Sequence, residues 1–339
     1  MHNVSPLHSL GIVNIDFAND FIALLDRTQV GHMGNWKYSN INFQPSSKNM
    51  PREFWQEFTH SKDYYISNSE RDLIRERLLE IVAQFNLPIE TFIEFGPGAS
   101  DAVQSKSVPF IHALGTIKRY VPIDIEQDFL DQAENVVNHT GMKPEIFKIN
   151  QDFYSPLPFD LQTGGYKLAA MFGCTISNIQ EFPFLPFPEE RLRGCLGSLR
   201  KVLNVGDTFI LTVDSNQDEG SLLKAYSSQR DIYQNLFWRI KHEVCPEEDG
   251  FNPENFEFDP TWFPQSHALS HGIRVKKNCT FSVLDRVYTL HAGEVFYFHN
   301  CYKVPSHLIR NVSEQAGFKH LSVFSDRQGR ICLHVLRAV

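Results

Sequence analysis

Thr91-Phe92-Ile93-Glu94-Phe95-Gly96-Pro97-Gly98-Ala99-Ser100 is the stretch on which the fold turns. A short, mostly apolar run of strand-favouring residues leads straight into two glycines. A strand that ends in Gly-x-Gly lets the backbone pass close to a ligand where a side chain would clash. Related patterns follow downstream. Arg119-Tyr120-Val121-Pro122-Ile123-Asp124 reads as a second strand that ends in an acid, with a helix after it over about 127–140. A third strand near 145–149 ends close to Asp152, and a fourth over 167–172 runs into Gly173-Cys174-Thr175. A helix over 189–203, then Gly206 and a strand over 208–213 closing on Asp214, complete the series. Strands alternating with helices predict an α/β fold with a mainly parallel sheet.

Upstream, residues 1–50 read as irregular. A helix is predicted from Pro51, with Phe54, Trp55 and Phe58 on one side. A second is predicted from Ser67 to Phe85, with Ser67 as N-cap and Glu70 completing a capping box. Downstream, the strand rhythm stops from Asn216 to about Leu269. Residues 221–244 read as helical, and 246–265 are rich in Pro, Asn, Asp and Glu. Phe251, Phe256, Phe258, Trp262 and Phe263 stand in that segment, either as core or as the lining of a pocket for an apolar or aromatic substrate. This block is read as an insertion that leaves the sheet. Strands return at 280–283, 287–290, 322–325 and 331–336, and a helix over 304–317 stops at Gly317.

Composition narrows the classes. Of 339 residues, 42% are hydrophobic and 21% charged, a globular mix that excludes a disordered chain. No apolar run approaches the roughly 18 residues of a membrane span. The net charge of −8 and the lack of a basic cluster argue against nucleic acid and for a small-molecule partner. The opening residues carry no export signal. The six cysteines stand far apart without a Cys-x-x-Cys pair, which favours reduced thiols in a cytoplasmic protein over paired disulfides. His267 and His271 are four apart, but no third ligand is evident in the sequence, so no metal is predicted. A monomer is expected.

In an open α/β sheet, ligands bind at the carboxyl ends of the strands. The full dinucleotide fingerprint is absent, because Asp101 stands where its third glycine belongs. Asp124 lies 26 residues beyond Gly98, where a carboxylate can accept hydrogen bonds from both ribose hydroxyls. Asp152 and Phe153 suit an adenine amine and its flat face. Together these strand ends point to S-adenosylmethionine (SAM) rather than a nicotinamide dinucleotide, whose phosphate-binding helix start is spoiled here.

The same residues resemble the histidine Nα-methyltransferases of ergothioneine biosynthesis and their relatives that methylate other amino acids, such as prenylated tryptophan. Asp63-Tyr64-Tyr65-Ile66-Ser67-Asn68-Ser69-Glu70 is similar to the family's Tyr-Tyr-x-Thr-x-x-Glu stretch, and 92–100 to its Glu-Leu-Gly-x-Gly-x-Ser loop. Tyr120-Val121-Pro122-Ile123-Asp124 is similar to its ribose strand, and Phe172-Gly173-Cys174-Thr175-Ile176-Ser177-Asn178 to Leu-Gly-Ser-Thr-Ile-Gly-Asn. Ala225-Tyr226 resembles part of its helical insertion.

The resemblance implies a Rossmann-like SAM-dependent methyltransferase sheet over 73–215 and 276–339. A second, mostly helical substrate lobe would come from 1–72 and 216–275. It implies a cofactor set of Glu94, Gly96, Gly98, Ser100, Asp124, Asp152, Phe153, Gly173 and Thr175. Tyr64, Tyr65, Asn178 and Tyr226 would hold the amine and carboxylate of an amino acid, with Tyr65 and Asn178 nearest the chemistry. From the residues alone, Tyr65 and Tyr226 could equally be packing groups and Asn178 a loop cap. Histidine-specific members grip the imidazole with a Glu and a Ser, and Ser270 and Gly272 fall on those positions here. Losing that charge-assisted bond predicts an amine other than plain histidine. True histidine methylation and a catalytically idle SAM fold are the alternatives.

Overall fold

The computed structural model describes residues 13–30, 42–44, 58–153, 165–246 and 250–339. Most of the helix expected from Pro51 lies outside these residues. The chain divides into two compact units. One holds Ile66–Ile179, Pro188–Asn216 and Lys303–Val339; the other holds the described residues up to Tyr65, with Gln180–Phe187 and Gln217–Tyr302.

Helix α1 (Ile15–Leu25) is capped by Asn14, whose side chain accepts the Phe17 N–H. Helix α2 (Tyr65–Val82) starts two residues earlier than the expected cap, so Ser67 lies inside its first turn. Glu70 does not reach back to that turn. Strand β1 (Ile89–Phe95) is followed by a helical turn (Ser100–Ala102), a π-helical segment (Val103–Ser107) and helix α3 (Val108–Leu114). Strand β2 (Arg119–Asp124) leads into α4 (Gln127–Asn138), then into the short strands β3 (Glu145–Ile146) and β4 (Ile149–Asn150). Strand β5 (Tyr166–Met171), α5 (Glu189–Arg200) and β6 (Thr208–Asp214) follow. Helices α6 (Glu219–Ser227) and α7 (Arg230–Glu243) precede β7 (Phe256–Phe263) and β8 (Ala268–Val275). Next come β9 (Cys279–Val283), β10 (Arg286–Leu290) and β11 (Val295–Tyr302). The chain closes with α8 (Ser306–Gln315), β12 (Phe318–Ser325) and β13 (Ile331–Ala338).

The first unit is built on one sheet in the order β12-β13-β6-β5-β1-β2-β3, with β4 also on β2. Strands β1 to β6 pair in parallel, while β13 runs antiparallel to β6 and to β12. Every residue of β6 is buried, as expected for a strand covered on both faces. The fold is therefore α/β and Rossmann-like. The chain reverses its direction of travel across the sheet between β1 and β5. That reversal makes a crevice at their carboxyl ends, the usual ligand position in such sheets.

The second unit differs from the expected helical lobe. Besides α1, α6 and α7 it contains a three-stranded sheet, β11-β8-β7, and a β9–β10 hairpin. Strands β9 and β10 do not rejoin the main sheet, and residues up to Tyr302 belong to this unit. Pro260 is tolerated because β7 is an edge strand. The core joins α1 and α7 to these sheets through Phe21, Phe237, Phe251, Phe256 and Phe281. Most of the aromatic segment thus supplies lobe core.

Candidate active site

At the end of β1 the backbone enters left-handed conformations at Gly96 (φ 68°) and Gly98 (φ 70°). A Cβ added at Gly96 would sit 3.7 Å from the Phe153 ring and 3.8 Å from Thr175 Cγ2. Phe153, three residues after β4, and Thr175, beyond β5, thus lie beside the end of β1. Glu94, next to Phe95 on β1, is buried. Its two oxygens accept hydrogen bonds from Ser107 (2.5 Å) and Tyr120 (2.5 Å). Burial raises its pKa, partly offset by those two bonds. It forms a strut joining β1, the π segment and β2. The Ser100 N–H and hydroxyl both donate to Gln132 Oε1 at 3.0 Å, which pins the loop to α4.

Strand β2 ends at Asp124, which is 8% exposed and accepts the Glu126 N–H at 2.9 Å. Asn150 ties β4 to the carbonyls of Asp124 and Ile125. Phe153 meets Phe95 edge-on at 6.0 Å. Asp152 is exposed, and its charge helps burial raise the Cys195 thiol to about 11.

After β5 the chain makes a tight turn through Gly173 (φ 69°) and Cys174 (φ 57°), then a 3-10 turn over Thr175–Ser177. Glu70, fully buried on α2, holds it. Its Oε1 accepts the Gly173 N–H at 2.7 Å and the Thr212 hydroxyl, and its Oε2 pairs with Lys106 at 2.5 Å. The Cys174 N–H donates to Thr212 Oγ1 at 3.3 Å. Half-buried Asn178 follows the turn, its N–H donating to the Thr175 carbonyl. One carboxylate on α2 thus fixes the loop that carries Gly173, Thr175 and Asn178. The sequence motif containing Glu70 signals its importance, but the capping reading misplaces its partners.

In the other unit, Tyr64 packs on Phe58 (3.9 Å) and edge-on to Tyr226 (5.9 Å). Tyr65 and Tyr226 are both buried. The Tyr226 ring lies 5.5 Å from His271, which also neighbours Tyr233, Phe258, Phe298 and His299. Side chains alternate along a strand, so Ser270 and Gly272 lie on the opposite face of β8 from His271. Ser270 donates to Asn300 Oδ1 at 2.6 Å. A Cβ on Gly272 would meet the Asp259 carbonyl and Val295 at 2.8 Å. These two residues close a packed sheet face. The β8 residue that reaches Tyr226 is His271, one position off the expected alignment. His267 turns to Gln217 instead (2.7 Å).

Residues 51–338 match the family of histidine-specific, SAM-dependent methyltransferases. The chain belongs to this family. This methyltransferase is similar to an uncharacterized protein of Sinorhizobium fredii, 27% identical over 252 residues, which cover 73% of this chain and 80% of that protein. It is also similar to a histidine N-alpha-methyltransferase of Mycobacterium tuberculosis, 23% identical over 279 residues, covering 78% and 82% respectively. Among solved structures, it is similar to a SAM-dependent methyltransferase from Clostridium acetobutylicum, with a TM-score of 0.44 and 12% identity, over 84% of this chain and 98% of that one.

The residues at the methyltransferase's strand ends fit SAM. Gly96, Gly98 and Gly173 hold left-handed backbone at the strand ends and keep it bare of side chains, with Phe153 and Thr175 beside Gly96. A carboxylate closes β2, where ribose hydroxyls need an acceptor. Among the described residues, no helix is long and apolar enough to cross a membrane.

Proposed function

We propose that this enzyme methylates the amino nitrogen of a free amino acid or related small amine other than plain histidine. The observation that carries the reading is the character of β8. Its sequence, Ala268-Leu269-Ser270-His271-Gly272-Ile273-Arg274-Val275, holds no carboxylate, and an imidazole stands where the strand reaches Tyr226. A site that identifies imidazole through a buried acid has no such acid to offer from this strand.

In this reading, Gly96, Gly98, Gly173 and Thr175 border the cofactor, Asp124 accepts from its ribose, and Asp152 and Phe153 meet its adenine. When bound, SAM supplies an electrophilic methyl carbon on a sulfonium. The amine must then be neutral and aligned, and its ammonium form can lose the extra proton to water beforehand. Asn178 orients the amine through its side-chain carbonyl, while Tyr65, Tyr226 and Tyr64 hold the amine and carboxylate in place. Orientation of this kind can supply several kcal/mol, on the order of 7 or more in well-aligned cases, without a strong base. In this reading the enzyme works as a monomer in the cytoplasm.

The test is a mass-spectrometric assay of the purified enzyme with SAM and histidine, tryptophan, other amino acids and a metabolite extract. Methyl gain on an amine other than histidine is expected. Efficient methylation of histidine alone would overturn the substrate reading.

A further inference from the structure

Strands β8 and β11 pair antiparallel, and their register shifts between Tyr297 and His299. The shift sets His299 opposite His271 and Cys301 opposite Leu269. His271, His299 and Cys301 consequently share one face of the sheet. Their donor atoms all lie within 4.8 Å of one another. Cys301 Sγ is 3.6 Å from His299 Nε2. In a tetrahedral zinc site, bonds of about 2.0–2.1 Å to nitrogen and about 2.3 Å to sulfur put those two ligand atoms about 3.6 Å apart. One edge of a coordination tetrahedron already has its length. Side-chain rotations of roughly 1 Å close the rest.

Gln180 adds a second, independent observation. Its Nε2 lies 3.3 Å from His299 Nδ1, and its Oε1 is buried with no hydrogen-bond partner. Turned end for end, the amide presents Oε1 to the His299 Nδ1–H. The amide nitrogen then takes the position Oε1 now holds, and the His299 Nε2 lone pair is left on the side of Cys301. A ligating histidine whose other ring nitrogen donates to a fixed acceptor is the usual support of a metal site.

We propose that His271, His299 and Cys301 bind one divalent transition-metal ion, zinc(II) being the ion that fits best. Two imidazoles and a thiolate select a borderline metal, whereas magnesium and calcium prefer oxygen donors. On binding, the Cys301 thiol gives its proton to solvent and both imidazoles bind as neutral ligands. Three protein ligands leave a fourth position for water or a donor atom of a small molecule held near Tyr226. The site does not depend on which amine is methylated, and its test reads the metal alone.

The metal-stripped full chain is titrated with Co²⁺ and followed by absorption spectroscopy. One equivalent per chain is expected, with a thiolate-to-cobalt charge-transfer band and the intense visible bands of four-coordinate cobalt. Zinc should displace it. Cys301→Ser should abolish the charge-transfer band, and His299→Gln should weaken binding at least about tenfold; should the first fail to fold, the second carries the test. Gln180→Leu should cost about 10- to 100-fold in affinity. His267→Ala should bind as the unaltered chain does. No charge-transfer band at one equivalent, or a band that survives in folded Cys301→Ser or an affinity unchanged in His299→Gln, would overturn the site.

Discussion

Removing the Glu70 carboxylate leaves Lys106 buried without its ion-pair partner and strips the acceptor from the Gly173 N–H. Breaking a buried pair from one side costs about 3–5 kcal/mol, so Glu70→Ala is expected to melt far below the unaltered protein. Glu70→Gln is the sharper probe. It keeps the volume and can still accept from Gly173, but it gives up the charge that holds Lys106. Its expected mark is about tenfold weaker binding of S-adenosylhomocysteine by calorimetry, beyond any change in melting temperature, because the loop bearing Gly173 and Thr175 loosens. Unchanged affinity would reduce Glu70 to a purely structural group. Asp124→Ala tests the other strand end. A charged acceptor to hydroxyls is worth about 1.5–3 kcal/mol, so S-adenosylhomocysteine should bind about 10- to 100-fold more weakly, beyond what the lost acceptor of the Glu126 N–H costs the melt. Equal binding would remove Asp124 from the cofactor site.

At the scale of elements, the sheet strands were legible because each is a short, mostly apolar run that ends at or just before a Gly or Asp. Strands β1, β2, β5 and β6 bury nearly every residue, and only a doubly covered strand has such a pattern. Strands β7 and β8 were not legible. Pro260, Asp259 and Ser270 interrupt them, and each is accommodated by tertiary context: an edge position, an ion pair with Arg274 at 2.5 Å and a bond to Asn300. The His271, His299 and Cys301 cluster was hidden for the same reason. Two of its members stand 28 residues apart, and only a pairing with shifted register brings them to one face. The glycine loop and Asp124, by contrast, are local signals at strand ends. Gly272 makes a test of β8 itself. An added methyl there meets Asp259 O and Val295 Cγ1 at 2.8 Å and Tyr297 Cδ1 at 3.3 Å, in the middle strand of its sheet. Overpacking of this kind costs about 1–3 kcal/mol, so Gly272→Ala should lower the melting temperature clearly. An unshifted melt would mean that β8 is not pinned between its neighbours as described.

Across the whole molecule, stability should depend on pH through a histidine with no part in the proposed chemistry. His334 is fully buried on β13, with Nδ1 2.9 Å from His320 Nε2 and Nε2 3.4 Å from Ser306 Oγ. Burial lowers its pKa to about 3, helped by the nearby charges of His320 and Arg310. The unfolded chain takes up this proton below about 6.5, whereas the native sheet refuses it until far lower pH. Between those values the unfolded state binds more protons, so stability rises with pH there and is lost as pH falls. From pH 7 to pH 5 this one group should cost about 2 kcal/mol. Burial also lowers the His320 pKa, which acts in the same direction. Thermal or urea unfolding of the full chain at both pH values reads the effect. His334→Gln cannot titrate, so its loss of stability over that interval should be smaller by about 2 kcal/mol, whatever its absolute stability. Parallel pH profiles for the variant and the unaltered chain would show that His334 is protonated in the native sheet as readily as in the unfolded chain.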